Sequence, residues 1–153
     1  DLDLVAESKN GGYSLKYVNA ISKKGNSSLK ESKRFGSIPE SIEIKDSLKL
    51  FWKIFVDNPS TYNLDTSYNF QKKVTDGFLS LKLNNENFKH FFEYTGKTVG
   101  EPNQDWIIDR FKAFRLGQIK FDSPGFYIIE LKIKTNPQNP IKWQWLWLDK
   151  VIN

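Results

Sequence analysis

The sequence feature that most constrains the fold is a strict alternation of side chains in the segment LKLFWKIFV at 48–56. Leu48, Leu50, Trp52, Ile54 and Val56 occupy one face, whereas the positions between them alternate lysine with phenylalanine. This period of two indicates a β-strand, because successive side chains of a strand point to opposite faces. The apolar residues of the chain are largely aromatic, with 12 Phe, 6 Tyr and 5 Trp, and such side chains pack well on a pleated sheet. The chain is therefore expected to fold mainly as β-sheet.

A short motif, Asp-x-Pro-x-x-Tyr, occurs twice, at 57–62 and at 122–127. An apolar segment leads into each copy, and an alternating segment follows it. Proline presets φ for a bend, and Asp, Asn, Ser and Gly are the usual turn residues around it. Each copy therefore predicts a β-hairpin. The predicted strand pairs are 48–56 with 62–70, and 116–121 with 126–134.

The rest of the chain adds further strand signals. GFLSLKLNNENFKHFFEYTG at 77–96 predicts a third hairpin with its turn at NNEN, and KWQWLWLDKVIN at 142–153 predicts a last strand. The stretch 95–115 is expected to be a surface loop, with at most a turn or two of helix at 104–114. About seven or eight strands at intervals of about 8–12 residues are typical of an antiparallel sandwich or barrel. A length of 153 residues suits one domain, 1–153.

Composition excludes several classes of function. The chain has no Cys and a single His, His90, so a thiolate site, a cysteine nucleophile and ordinary zinc chemistry are not expected. The carboxylates of 101–109 are close in sequence but have no motif around them that would mark a catalytic pair, so no enzymatic activity is expected of this domain.

Charge and hydropathy also limit the partners. The net charge is +5, and the 23 Lys and Arg are scattered rather than arranged in one basic stripe, so no nucleic-acid partner is expected. No apolar run approaches the roughly 20 residues of a membrane span. The chain begins at Asp1 and contains no Met, so we expect a processed protein or a domain of a longer polypeptide.

Taken in order, these motifs resemble a known group of proteins. WKIFVDNPSTYNLDTSY, then LGQIKFDSPGFYIIELKIK, then WLWLDKVIN resemble the galactose-binding-like jelly-roll modules, over roughly 42–153. These include carbohydrate-binding modules of families 6 and 35 and related domains appended to bacterial α-L-fucosidases and other glycoside hydrolases. The resemblance implies an all-β antiparallel sandwich, non-catalytic, secreted, periplasmic or at the cell surface, and attached to a carbohydrate-active enzyme.

The resemblance also implies where ligands would bind. The loop carrying Trp106 corresponds to the ligand-bearing region of family 6 modules, so Trp106 is expected to stack on a sugar while Asp109 and Arg110 hold hydroxyls, with help from Tyr13. The alternatives are that Trp106 closes one end of the sandwich and that Tyr13 anchors a loop. No catalytic residue is expected.

Family members often hold a structural calcium ion through carboxylates of the first and last strands. Glu7 and Asp149 match those places loosely, but the fuller acidic N-terminal pattern is missing. No cofactor is expected beyond that ion.

Three tryptophans at alternate positions, Trp143, Trp145 and Trp147, are the most unusual feature. If Leu146 and Leu148 face the core, strict alternation turns all three outward, into an apolar patch that a monomer seldom exposes. Such a patch could be a glycan platform, a docking surface for a partner domain, or a face covered by residues 1–40.

The favoured function is a carbohydrate-binding accessory module of a glycan-degrading enzyme, with an α-L-fucosidase as the preferred parent. Its expected partners are a glycan or oligosaccharide and a catalytic domain of the same polypeptide. The alternatives are a structural domain that docks through the three tryptophans, and a stand-alone surface adhesion protein.

Overall fold

The structure, a computed structural model, describes residues 4–25, 30–33, 40–74, 76–99 and 107–152. These residues form strands β1 to β14 in chain order and one 3-10 turn at Tyr17–Asn19. Among them, no helix is long and apolar enough to cross a membrane.

Two sheets face each other, and in each of them strands that are distant in the sequence lie side by side. In the order of pairing, the first sheet contains β1 (Leu4–Val5), β6 (Ser47–Val56), β13 (Gly125–Lys134), β8 (Phe78–Leu83) and β9 (Glu86–Phe91), with β3 (Ser22–Lys24) also paired to β6. The second sheet contains β12 (Lys112–Lys120), β7 (Thr61–Asn69), β14 (Ile141–Lys150), β5 (Ser41–Ile44) and β4 (Lys30–Ser32), with β2 (Tyr13–Leu15) also paired to β14. A separate two-stranded ribbon pairs β10 (Lys97–Val99) with β11 (Ile107–Asp109).

The predicted fold class is confirmed: the molecule is an all-β, antiparallel β-sandwich. Among the described strands, every pair is antiparallel except β1 with β6. The inward side chains of both sheets alternate with outward ones and form one core, as the burial of alternate residues along β6 and β7 shows. At its centre the rings of Trp52 and Trp143, from opposite sheets, lie 6.0 Å apart.

Both predicted Asp-x-Pro hairpins are wrong. β6 lies in the first sheet and β7 in the second, and likewise β12 lies in the second sheet and β13 in the first. Each motif is therefore a corner that carries the chain from one sheet to the other. Four residues can span up to about 13 Å, which is enough to cross the roughly 10 Å between packed sheets.

The two corners lie side by side, which explains why the chain uses the motif twice. β6 pairs with β13 and β7 pairs with β12, so both corners join the same two layers at the same end. The N–H of Phe121 donates to the carbonyl of Ser60 (3.1 Å), which ties the corners together. The motif tyrosines then pack at this end, where the Tyr62 ring meets the Phe121 ring at 5.5 Å.

The third predicted hairpin is confirmed, and the predicted long loop is partly wrong. β8 pairs with β9 across a turn in which Asn84 and Asn85 both have positive φ, 50° and 64°, as a tight hairpin turn requires. Within 95–115, the ribbon β10–β11 and the start of β12 are strands rather than loop, and no helix forms in the described part of that stretch.

The last strand contains a β-bulge that reverses its alternation. Its pairing with β7 shifts register between Trp143 and Trp145, so Gln144 is an extra residue in the strand. Before the bulge Trp143 points inward, and after it Leu146 and Leu148 do. The expectation that Trp143 faces outward is therefore wrong, because an inserted residue moves every later side chain to the other face.

Thr66 satisfies the polar groups buried at this bulge. Its hydroxyl accepts a hydrogen bond from Trp143 Nε1 (3.0 Å) and donates one to the carbonyl of Trp145 (2.8 Å). Both partners would otherwise be unpaired in the core, where a lost hydrogen bond has its full desolvation cost.

The first prediction concerns this hydroxyl. Thr66→Val keeps the shape of the side chain but leaves the indole N–H and the carbonyl unpaired, so the free energy of unfolding should fall by about 1–3 kcal/mol. Thr61→Val, at the partly exposed start of the same strand, should change it by about 0.5 kcal/mol or less. Urea unfolding of both variants makes the comparison, and equal effects would contradict the role given to Thr66.

His90 is partly buried at β9, where it forms a hydrogen bond with the core residue Tyr68. The Tyr68 hydroxyl accepts the N–H of Glu93 (2.8 Å), so its own proton is free to go to His90 Nε2, 2.8 Å away. Desolvation by burial lowers the pKa of His90 below its ordinary value of 6.5, against a smaller opposite effect of Glu93.

The second prediction follows from the sign of this shift. Below about pH 6.5 the unfolded chain takes up a proton that the folded chain resists, so stability present above that pH is lost as the pH falls toward the depressed folded pKa. His90→Gln should flatten the fall in unfolding free energy between about pH 7 and pH 5. An equally steep fall in the variant, or a folded-state NMR titration of this one histidine above 6.5, would contradict the assignment.

Candidate functional site

The outward side of β12, β7 and β14 forms a polar surface around two tryptophans, here called the tryptophan face. Its side chains alternate with the core residues of the same strands, so their outward direction follows from the burial of those residues. They come from three neighbouring strands of the second sheet: Asn63, Asp65, Ser67, Arg115, Gln118, Gln144, Trp145, Trp147 and Asp149.

An ion pair lies at the middle of this face. Arg115 and Asp65 are cross-strand partners, and the guanidinium makes two bonds to the carboxylate, Nε to Oδ1 at 2.8 Å and a terminal nitrogen to Oδ2 at 3.2 Å. The hydrogen bond to Asp65 raises the pKa of Arg115, with a further contribution from the charge of Asp65. Two bonds fix the plane of the fork, so its other N–H groups have a defined direction.

Amide and hydroxyl pairs continue the pattern on either side. Gln118 Nε2 donates to Asn63 Oδ1 (2.8 Å), and the Ser67 hydroxyl donates to Gln144 Oε1 (2.8 Å). Each pair joins neighbouring strands, so the polar atoms of this face are held in place by the sheet itself.

The two tryptophans differ in how far they are exposed to solvent. Their rings meet edge to face, with centroids 5.8 Å apart and an interplanar angle of 87°. Trp145 is half-buried, whereas Trp147 is 42% exposed. Trp147 lies against Gly12, where a Cβ atom would come within 2.9 Å of the indole nitrogen and 2.7 Å of the Leu148 carbonyl. Glycine at this position leaves room for the ring to lie beside the backbone.

This arrangement suits a polyhydroxylated ligand. An exposed indole offers a flat apolar surface, and the paired amides, carboxylate and guanidinium beside it offer donors and acceptors in fixed positions. Hydrogen bonds that involve a charged group are stronger than neutral ones.

The structure describes only two of the three loop residues that the sequence predicted to bind a sugar. Trp106 lies outside the described residues. Asp109 ends β11 and pairs with Lys97 (Oδ1 to Nζ, 3.2 Å), and Arg110 beside it is exposed, with its backbone N–H bonded to the carbonyl of Gly96 (3.0 Å). Asp109 and Arg110 are thus adjacent at the end of the ribbon.

Tyr13 is not part of a surface site. Its side chain is 1% exposed, its hydroxyl donates to the carbonyl of Phe55 (2.6 Å), and its ring packs 5.9 Å from that of Tyr62. Burial raises the pKa of the Tyr13 hydroxyl. The prediction that Tyr13 contacts a sugar is corrected: it anchors the N-terminal segment to the core, which was the alternative considered.

The predicted tryptophan docking stripe is corrected as well. Trp143 is fully buried, so only Trp145 and Trp147 remain on the outer face. Within the described part of 1–40, Gly12 lies against the Trp147 indole, while β2 extends the second sheet at the edge of β14 instead of lying across its face.

The carboxylates considered for calcium do not form a cluster here. Among the described residues, no group of three or more His, Cys, Asp or Glu side chains is placed to hold a metal ion. Asp149 lies on the tryptophan face, opposite Asn63.

Sequence reasoning missed the polar half of this face. Asp65 and Arg115 are 50 residues apart, and their pairing depends on the order of strands in the sheet. The available signal was the alternation in YNLDTSYNF, whose polar positions had to face away from the core.

Comparisons with known proteins show the fold. No protein-family model matches the chain, and no curated protein matches it. Among solved structures, it is similar to the C-terminal CBM6 of LamC, a marine laminarinase from Zobellia galactanivorans, at 12% identity and a TM-score of 0.60 over 91% of this chain and 99% of that one. The chain has the β-sandwich fold of the galactose-binding-like carbohydrate-binding modules. The resemblance predicted from its motifs is confirmed at the level of fold.

Other similar structures are much longer proteins. The insecticidal crystal protein Cry2Aa matches 96% of this chain over 22% of its own length, at 14% identity and a TM-score of 0.69. An α-L-fucosidase from Vibrio sp. strain EJY3 matches 95% of this chain over 24% of its own, at 15% identity and a TM-score of 0.55. The chain therefore spans about a quarter or less of these two neighbours.

The third prediction separates the two sides of β14. Trp143→Ala removes a buried ring and should lower the free energy of unfolding by about 3–5 kcal/mol, whereas Trp147→Ala should lower it by about 1 kcal/mol or less. Urea unfolding of the two variants measures both values. Similar losses for the two would mean that the bulge does not divide the strand as described.

Proposed function

We propose that the chain is a non-catalytic carbohydrate-binding module and that its tryptophan face binds the glycan. The observation that carries this proposal is the exposed ring of Trp147 beside the forked Asp65–Arg115 pair. An open aromatic surface next to oriented polar groups is the combination that a sugar ring requires, since one face of the ring presents C–H groups and its rim presents hydroxyls.

The binding mode follows from the positions on the face. Trp147 and Asp65 are cross-strand neighbours in β14 and β7, and Arg115 is the next neighbour in β12. A sugar stacked on Trp147 has its hydroxyls directed toward this ion pair and toward Asn63 with Gln118. Affinity is expected to be weak, because every bond to the sugar replaces a bond to water.

The biological setting is also part of the proposal. We propose an accessory module of a secreted or periplasmic glycan-degrading enzyme, with an α-L-fucosidase as the preferred parent. The structural likeness to an α-L-fucosidase and to the CBM6 of a laminarinase supports this setting. The catalytic domain would then be a partner within the same polypeptide.

A structural role is the second candidate. The neighbours that contain this fold as a quarter or less of their length favour it, because a domain of that kind packs on others. Trp145 and Trp147 would then contact a neighbouring domain instead of a glycan.

The fourth prediction tests glycan binding. Isothermal titration with laminarin, β-mannan and fucosylated oligosaccharides should find at least one ligand, and Trp147→Ala should weaken it about tenfold or more. Phe126→Ala removes an exposed ring from the opposite sheet and should leave binding unchanged.

Other outcomes decide between the sites. If Trp106→Ala or Arg110→Ala abolishes binding while Trp147→Ala does not, the loop predicted from the sequence is the site and the tryptophan face is not. Absence of binding to a broad glycan array at millimolar concentration would reject the carbohydrate-binding function and favour the structural role.

A further inference from the structure

The outward side of the first sheet, here called the lysine face, has a different chemistry from the tryptophan face. Its strands direct lysines away from the core between apolar side chains: Lys24, Lys49, Lys53, Lys82, Lys89, Lys132 and Lys134. Three of these form one row across neighbouring strands. Lys24 of β3 lies opposite Lys49 of β6, which lies opposite Lys132 of β13.

Such a row of like charges lowers the stability of the sheet, so the fold itself does not explain it. Neighbouring strands are about 4.8 Å apart, and like charges directly opposite each other destabilise a sheet. Lys49 has partial compensation from Glu130, at 3.6 Å, but Glu130 also faces Lys82 at 3.8 Å. Within the described part of the chain, neither Lys24 nor Lys132 forms an ion pair.

The row surrounds a depression rather than a flat surface. Lys24, Lys49 and Lys132 line a pocket of about 230 Å³ together with Gly25, Ser47 and Leu48. Gly25 allows the end of β3 to approach β6 closely, because a Cβ atom there would overlap the Ser47 carbonyl oxygen. Any larger residue would push the two strands apart and open this wall of the pocket.

The aromatic rings of the lysine face are partly covered by lysines. Lys24 Nζ lies 5.5 Å from the centre of the Phe51 ring, and Lys53 Nζ lies 4.8 Å from that of Phe126. These rings offer less open surface for stacking and help to hold the ammonium groups in place. A ligand at this face would therefore be bound mainly by the charges of the ammonium groups and less by stacking on the rings.

We propose that the row Lys24, Lys49 and Lys132 binds the sulfate groups of a sulfated polysaccharide, at a second site separate from the tryptophan face. An ammonium is a compact charge with donors that rotate to any side, which suits a tetrahedral sulfate. A site for planar carboxylates would favour the fixed fork of arginine, and the row contains none. The choice of a polysaccharide over other polyanions rests on the proposed function, but the location of the anion site does not.

The fifth prediction uses dextran sulfate and unsulfated dextran as matched probes. The wild-type chain should bind dextran sulfate, with an affinity that falls as salt is added, and should not bind dextran through this site. The triple variant Lys24→Gln, Lys49→Gln, Lys132→Gln should weaken dextran sulfate binding by about 10- to 100-fold. Its melting temperature should be unchanged or higher, because the repulsion within the row is removed.

The control has the same change of net charge elsewhere. The triple variant Lys9→Gln, Lys72→Gln, Lys120→Gln removes three exposed lysines away from the row. Its affinity for dextran sulfate should stay within about twofold of wild type at a salt concentration that screens the general effect of net charge. If this control weakens binding as much as the row variant does, the interaction follows net charge and the site is rejected.

Further probes test the choice of ligand. Tighter binding of polygalacturonate than of dextran sulfate would overturn the preference for sulfate. Tighter binding of duplex DNA or of phosphatidylglycerol vesicles through the same three lysines would overturn the assignment to a polysaccharide. Trp147→Ala should leave dextran sulfate binding intact, so a chain that binds dextran sulfate but no neutral glycan would refute the proposed function and leave the anion site standing.

Discussion

The division between core and surface in this molecule depends on one extra residue in its last strand. Without the bulge at Gln144, unbroken alternation would place Trp143 and Trp147 on the same side of the sheet. Trp145 would lie on that side too, so either the core would lose the ring that packs on Trp52 or it would have to hold two more indoles. The bulge lets one strand supply tryptophans to both sides of the sheet. Thr66 stabilises the bulge because its hydroxyl forms hydrogen bonds with the polar groups buried beside it.

Once the core fixes which side chains point inward, the outward ones are free to differ between the two sheets. On the tryptophan face Asp65 is paired with Arg115 across neighbouring strands, and the surface is shaped by an open ring. On the lysine face the cross-strand row repeats one charge, and Lys24 and Lys132 form no ion pair among the described residues. The same sandwich therefore presents two surfaces of different chemistry, which illustrates why a fold does not identify a function.

The strands were predictable because burial of one side imposes a period of two, and the limits 48–56 and 126–134 differ from the observed strands by one residue at the start. Their pairing was not. A strand that turns back within a sheet and a strand that crosses to the facing sheet both direct alternate residues into the same core, so the pattern around Asp-x-Pro is identical in the two cases. The Asn84–Asn85 turn was recognisable because its positive φ values suit few residues other than Asn and Gly.

The candidate site was harder to predict than the fold for a related reason. A bulge changes the phase of a strand without a distinctive residue, so the sequence alone could not separate Trp143 from Trp147. The ion pair beside Trp147 joins residues brought together only by the order β12, β7, β14. Similar structures are only 12–15% identical to this chain, so the likeness extends to the fold alone. The ligand must therefore be inferred from the outward side chains of this chain, since the inward ones account only for the fold.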